Sequence, residues 1–403
     1  MIGKFTFFLE GINMSEWKEY KLGELIRTNI RTMGKNYPYS RILYLDTGSI
    51  VCNAIDSFQE FDIEKAPSRA KRLVVADDII YSSVRPNQLH YGFIKDPQDN
   101  LVVSTGFVII SCNKDLLYPK FLYYYIIQPH ITEYLHSVAE ASTSAYPSLK
   151  PSDIEALEIN LPPLNEQKRI ASILSSLDDK IDLLHRENAT LEAMAETLFK
   201  EYVLDKDNDA ILEQIIFVQN GYAFKSKDFK EKGEHQIIKI KNISNGTIDI
   251  DTTDCVDSDV IVDVSTKFKI NSGDILVAMT GAEIGKLGVI PKNDKSLWLN
   301  QRVGLLVEKY KGAKYLAYLQ LKSEYGQDYI ENTATGSAQP NISGVDIEKC
   351  GFPNLSEDER IQISQQIGEF YDKIIFNLGQ INNIQDLKDN LLNKLMSNEI
   401  NLF

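Results

Sequence analysis

The segment SSVRPNQLH brings Arg85, Asn87, Gln88 and His90 within six residues of one another. They form a set of planar hydrogen-bonding groups, not a set of nucleophiles. A guanidinium fits the two acceptors on a guanine edge, and an Asn or Gln amide fits the donor and acceptor on an adenine edge. Each such bidentate pair discriminates by about 1–3 kcal/mol. The chemistry on offer is the reading of base edges, and the plain alternative is an exposed polar turn after a strand. Upstream, KAPSRAKR packs Lys65, Arg69, Lys71 and Arg72 into eight residues, which suits phosphate contacts and almost equally a solvated surface run. The second half of the chain offers Thr280, Glu283 and Lys286 on GAEIGK, with Asn300, Gln301 and Arg302 close behind, as the corresponding candidates. Lys239, Lys241 and Asn242 on IKIKNIS rank second. Thr143, Ser144 and Tyr146, with their counterparts Thr335, Ser337 and Gln339, are expected to shape a returning loop and to reach nucleic acid as well.

Catalytic patterns are missing from the same stretches. GAEIGKL is one spacer residue short of a phosphate-binding loop, and Leu287 stands where Ser or Thr is required. Glu166-Gln167-Lys168 fits half of a nuclease signature without an upstream acid and reads as surface charge. There is no GxGxxG and no Asn/Asp-Pro-Pro-Tyr/Phe motif. Cys52, Cys112, Cys255 and Cys350 are far apart, with no CxxC pair and no His at ligand spacing, so no zinc site or disulfide framework is indicated. The expectation is a chain with no catalytic residue and no metal site of its own.

The elements that must position these groups come in duplicate. VVADDIIYSSVRP answers INSGDILVAMTGA, with Asp78 matching Asp274; SAYPSLKPSDIEAL answers SAQPNISGVDIEKC; and LPPLNEQKRI answers FPNLSEDERI. Three blocks recur in one order at a period near 193, the sign of an internal repeat. Each half opens with short β-branched and aromatic runs broken by Gly, Asn and Asp, which read as strands and turns. Single short helices are expected at 118–135 and 313–329. The fold class is therefore α+β, two pseudo-repeated domains at 15–160 and 206–355.

Between and after these domains, at 161–205 and 356–403, the periodicity becomes helical. Ile170, Leu174, Leu177, Ile181, Leu184, Asn188, Leu191, Ala195 and Leu198 step by four and three, a heptad seam. Ile367, Phe370, Ile374, Asn377, Ile381, Ile384, Lys388, Leu391 and Leu395 repeat the pattern. The two seams are natural mates in an antiparallel coiled coil, with Asn188 and Asn377 fixing register and Asn165 and Ser356 as N-caps. About 38 residues at ~1.5 Å each make a spacer near ~57 Å.

Bulk properties agree with this division. At 403 residues, 43% hydrophobic and 25% charged, the chain can bury two cores. The net charge of −14 is unfavourable for a polyanion ligand, but the helical segments 161–205 and 356–403 carry −4 each and the much longer domain segments only −3 each. Basic surface must then be local, or supplied by partners. Residues 1–13 hold a short apolar run ended by Glu10 and no cleavage pattern, so they read as an extension ahead of a natural-looking start at Met14, not as a signal peptide. No run reaches the ~18 apolar residues of a membrane span, and a cytoplasmic location is expected.

With EWKEYKLGEL, the turns at Asp78 and Asp274, SSVRPN, MTGAEIGKLG, LNQ, GSAQPNIS and LPPLNEQKRIASIL in view, the chain resembles the specificity subunits of type I restriction-modification systems over residues 15–398. The resemblance implies two target-recognition domains that read a bipartite, asymmetric double-stranded DNA sequence, with the helices setting the gap. It implies docking of two modification subunits, which bind S-adenosylmethionine and methylate adenine. It also implies restriction subunits that use ATP and Mg to cut DNA. Gly368 and Gly379 inside the second helix, and SEDER in place of NEQKR, suggest a looser second copy. A structural coiled-coil adaptor with two protein-binding heads is the competing reading, favoured by the acidic balance and opposed by the duplicated turns.

Overall fold

A computed structural model describes residues 17–141, 148–204, 206–244, 246–336 and 339–397. Thr143, Ser144, Tyr146, Ser337 and the extension at 1–13 lie outside the described residues. The chain forms two compact units, one of residues 1–178 with 387–403 and one of residues 179–386, so each long helix contributes to both.

In the first unit, strands Ile26–Thr28, Phe107–Cys112, Ile79–Ser82 and Tyr91–Phe93 form one antiparallel sheet, with Phe107–Cys112 between Ile26–Thr28 and Ile79–Ser82. A second sheet has the order Gln59–Asp62, Arg41–Leu45, Leu101–Ser104, Ala70–Leu73. Its central pair is parallel, Leu101 opposite Leu43. The strand Ile79–Ser82 is buried at all four positions, as the unbroken apolar run requires.

The second unit repeats this plan. Strands Ile216–Asn220, Val303–Glu308, Ile275–Ala278 and Leu287–Val289 reproduce the first sheet, extended by Gly246–Ile248 and Ile243–Ser244. Asp254–Val256, His235–Ile238, Ser296–Leu299 and Lys269–Ile270 reproduce the second, again with a parallel central pair. Each unit closes with a short antiparallel pair, Lys18–Lys21 with Glu158–Leu161 and Ala210–Ile211 with Gly351–Phe352. The α+β duplication expected from the sequence is therefore present strand for strand.

Where one short helix was expected per domain there are two, Pro119–Ile126 with Pro129–Glu140 and Ala313–Lys322 with Glu324–Thr333. The breaks follow from local chemistry. Pro129 can only start a helix, and the Ser323 hydroxyl accepts from Gly326 N, capping a new one.

The long helices run Leu164–Phe199 and Glu357–Met396. In the first unit Ile170 and Leu174 share a core with Leu392 and Leu395. Lys388 on the seam pairs with Asp178 at 2.6 Å, and Asp178 also accepts from Tyr124 Oη at 2.6 Å. In the second unit Ala195 packs with Ile367 and Ile374, and Asn377 Nδ2 donates to Asn188 Oδ1 at 2.9 Å and to Glu187 at 3.0 Å. Lys206 reaches Glu359 at 3.0 Å, so the end of one helix meets the start of the other and the pair is antiparallel.

Every seam position is buried or half-buried, but a second buried row lies beside it, including Ile363, Tyr371 and Ile375. This row docks the second helix on the second unit, which a two-helix reading does not anticipate. Gly368 and Gly379 belong to it. A Cβ on Gly379 would lie 2.6 Å from Lys292 O, and Lys292 N donates to Ile375 O at 3.2 Å. Gly379 marks close packing, not a loose helix, whereas a Cβ on Gly368 would meet only ordinary contact with Tyr315 at 3.8 Å.

Two further local expectations are corrected. Asn165 lies inside the first helix instead of capping it, because the helix already begins at Leu164, with Pro163 O accepting from Glu166 N. Gln167 does not lie at the surface: its buried amide donates to Leu116 O and Pro162 O and accepts from Tyr118 N. Ser356 does cap the second helix, in a reciprocal box with Glu359. Its hydrogen bonds, with Lys206 beside it, hold the Glu359 carboxyl at about 2. Among the described residues no helix is long and apolar enough to cross a membrane.

Candidate nucleic-acid interface

The interface is built on the turn that follows the buried strand Ile79–Ser82. Arg85 takes a left-handed backbone (φ 48), Pro86–Gln88 form one 3₁₀ turn, and Leu89 returns left-handed (φ 58). Gln88 N donates to Arg85 O at 2.9 Å and Leu89 N to Pro86 O at 3.0 Å, closing the turn. Its base is pinned: Ser82 N donates to His90 O, and both Ser83 N and Ser83 Oγ donate to Gly106 O. With Pro86 buried beneath, Arg85, Asn87 and Gln88 project into solvent. His90 Nδ1 donates to Ile50 O at 2.5 Å, which fixes the tautomer and leaves Nε2 facing the Gln88 amide at 3.2 Å. Among the described residues Arg85 has no acidic partner.

The second unit carries the same turn 196 residues later. Asp77, Arg85 and Leu89 fall on Gly273 (φ 82), Gly281 (φ 80) and Gly285 (φ 82). Ala278 N donates to Lys286 O as Ser82 N does to His90 O, and Met279 N to Arg302 O as Ser83 N does to Gly106 O. The side chains that project differ. Gly281 replaces Arg85, Glu283 replaces Asn87, and Lys286, in the place of His90, is ion-paired with Glu283. Arg302 instead stands exposed where the first unit has Gly106, without an acidic partner among the described residues.

The same two turns share a scaffold acid. Asp78, 2% exposed, accepts from Val75 N, Ser111 Oγ and twice from Arg31 Nη2 at 2.7 and 2.8 Å. Asp274 accepts from Asn271 N at 2.8 Å without an arginine, and burial pushes its carboxyl up. The returning loops cross both turns alike, with Leu149 N donating to Ser83 O and Ile342 N to Met279 O.

The chain matches the type I restriction modification DNA specificity domain family at residues 14–193 and again at 210–386. It belongs to that family. The specificity subunit of the type I restriction enzyme HindI of Haemophilus influenzae is 34% identical over 194 residues, 48% of this chain and 42% of that protein. The MjaVIII specificity subunit of Methanocaldococcus jannaschii is 26% identical over 285 residues, covering 65% of this chain and 66% of that protein. The chain thus spans about half to two-thirds of the length of these curated relatives. A crystal structure of a type I restriction-modification S subunit from M. genitalium has the same fold, with a TM-score of 0.57 at 15% identity, covering 98% of this chain and 99% of that one.

The remaining candidate residues of this specificity-domain chain divide by exposure. Arg69 and Lys71 are exposed on the edge strand beside the first turn, where Thr105 N donates to Arg69 O, while Arg72 is half-buried and Lys65 pairs with Asp62. Gln301 is exposed next to Arg302, but Asn300 is buried and folded back, its Oδ1 accepting from Arg302 N. Asn242 is fully buried, bonded to Lys239 N and Thr252 O, so its amide shapes a turn and reaches no ligand. Lys239 and Lys241 both pair with Asp254 and hold its carboxyl below the usual range. The Thr280 hydroxyl is buried, whereas Thr335 and Gln339 are exposed on the returning loop. Lys269, exposed on the strand Lys269–Ile270 that answers Ala70–Leu73, and Lys267, exposed in the 3₁₀ turn Thr266–Phe268 just before it, are further candidates that the divergent sequence of the repeat conceals. Topology alone identifies them.

Proposed function

We propose that this chain reads DNA sequence for a type I restriction-modification assembly, each turn contacting one half of a bipartite, asymmetric target. The carrying observation is the exchange of arginines: Arg85 with Gly106 in one unit, Gly281 with Arg302 in the other. Each unit presents one unpaired guanidinium from a pinned turn, the form suited to a guanine edge, but from a different loop. Two unlike readers on one scaffold imply two unlike half-sites. The exposed Arg69, Lys71, Lys267 and Lys269 would hold phosphates and carry no sequence information.

The chain itself is non-catalytic in this reading. Modification subunits would bind S-adenosylmethionine and methylate adenine, restriction subunits would use ATP and Mg, and the assembly would act in the cytoplasm. The acidic long helices would face those proteins instead of DNA. They would also set the gap between half-sites. Four residues inserted into the first helix add about 6 Å, and the recognised gap should lengthen by roughly two base pairs at ~3.4 Å each.

The test is a gel-shift titration of the chain with its modification subunits on a bipartite duplex. Tight, sequence-dependent binding is expected, and sequence-blind binding in that assembly would overturn the reading.

A further inference from the structure

Beside the first reading turn lies a hairpin, Ile50–Val51 paired with Ala54–Ile55 through the two left-handed residues Cys52 and Asn53 (φ 48 and 69). This is the two-residue turn that matches strand twist. Its tip is also tied to the turn that carries Arg85. Cys52 N donates to Leu89 O at 2.8 Å, Asn53 N to Tyr91 O at 2.9 Å, and Asn53 Oδ1 accepts from Phe93 N at 2.7 Å. His90 adds its ring bond to Ile50 O. The hairpin therefore moves with Arg85 and shares its surface.

Paired residues of a hairpin point to one face. Ile50 is buried in the core, so the opposite face carries the pair Val51 and Ala54, both exposed, Val51 at 47%. The twin hairpin of the second unit keeps the register 193 residues later: Ile243 faces Ile248 as Ile50 faces Ile55, and Ser244 faces Thr247 as Val51 faces Ala54. Ile50, Ile243 and Ile248 are buried but Ile55 is 39% exposed, and the Val51–Ala54 pair is apolar where Ser244–Thr247 is hydroxylic. Core packing explains Ile50, Ile243 and Ile248 and leaves the exposed aliphatic residues of the first hairpin unexplained.

We propose that Val51, with Ala54, is a specificity-determining contact for the 5-methyl group of a thymine in the half-site read by Arg85. The inference rests on the DNA-reading function proposed above. The thymine methyl is the one apolar feature a base pair shows in the major groove, and small aliphatic side chains are its natural partners. Val51 and Ala54, exposed on a hairpin whose tip is bonded to the turn that carries Arg85, Asn87 and Gln88, present aliphatic surface of the kind that suits a base edge.

The experiment uses the full chain assembled with its modification subunits and duplexes in which each thymine of that half-site is replaced, one at a time, by deoxyuridine. At one position wild-type affinity should fall about fourfold, the ~0.8 kcal/mol of one buried methyl-sized group. Val51→Ser should bind the thymine and deoxyuridine duplexes equally, at the weakened level. The proposal is overturned if no thymine position is sensitive, if the half-site holds no thymine, or if Val51→Ser keeps the wild-type deoxyuridine penalty. Arg85→Ala on the same duplexes separates the two failures. If its loss is not confined to one half-site, the DNA-reading assignment itself falls; if it is confined while deoxyuridine is silent, only the methyl contact falls.

Discussion

The two turns proposed to read DNA have the same backbone and opposite solutions to its demands. Three positions per turn must be left-handed, and the second unit meets all of them with glycine, Gly273, Gly281 and Gly285. The first meets them with Asp77, Arg85 and Leu89. A left-handed non-glycine residue costs roughly 1–2 kcal/mol, and it persists where the surrounding structure holds it, which is common at functional sites. The first unit thus accepts strain to carry a side chain at the apex of the turn. The second relaxes the apex and places its free guanidinium on the neighbouring loop, at Arg302. A shared scaffold does not imply a shared reading position.

The largest effect should come from the scaffold acid. Asp78→Asn leaves Arg31 and Ser111 without their carboxylate and should lower stability by about 3 kcal/mol, as for a buried pair broken on one side, measured by denaturant melts. Asp274→Asn should not. Burial raises the Asp274 carboxyl, so the folded chain keeps that proton to higher pH than the unfolded chain. The associated stability is present at low pH and lost as pH rises through the folded value. Asn removes this dependence, and at neutral pH stability should hold or rise. Equal losses at both sites would break the contrast.

Next is the exchange of arginines. Arg85→Ala and Arg302→Ala should each cost about 1–3 kcal/mol of discrimination, in opposite half-sites, in competition binding. Lys286→Ala should cost less than about threefold, because Glu283 already neutralises that lysine; a loss as large as that of Arg302→Ala would return the reading role to Lys286.

The smallest effects isolate the backbone. A Cβ at Gly281 meets nothing within 4 Å, so Gly281→Ala should lose about 1 kcal/mol through its left-handed φ alone. Arg85→Gly should gain about 0.5–1 kcal/mol of stability while abolishing reading. A gain in one unit and a loss in the other, read by thermal melts, would establish strain as the difference.

Much of this was legible beforehand. The repeat, the seam, the paired Asn188 and Asn377 and the cluster around Arg85 all follow from spacing, because period and turn chemistry are local properties. What was hidden is non-local. Asn242 is a surface-type residue turned inward by bonds to Lys239 N and Thr252 O, and Asn300 by its backbone bond to Ile238 O. Lys286 is silenced by Glu283, and Gly379 is fixed by a close approach to Lys292. The blocks around Asp78 and Asp274 already set Arg85 over Gly281, but the left-handed φ and the ladder bonds that make the two positions equivalent appear only in the fold.

The central claim is that two unlike turns read two unlike half-sites. Base-resolution mapping of methylated sites in cells carrying this chain with its modification subunits tests it most directly, for wild type, Arg85→Ala and Arg302→Ala. A two-part asymmetric motif is expected, in which one variant relaxes bases only in one half and the other only in the second half. A single continuous motif, or both variants relaxing the same bases, would contradict it.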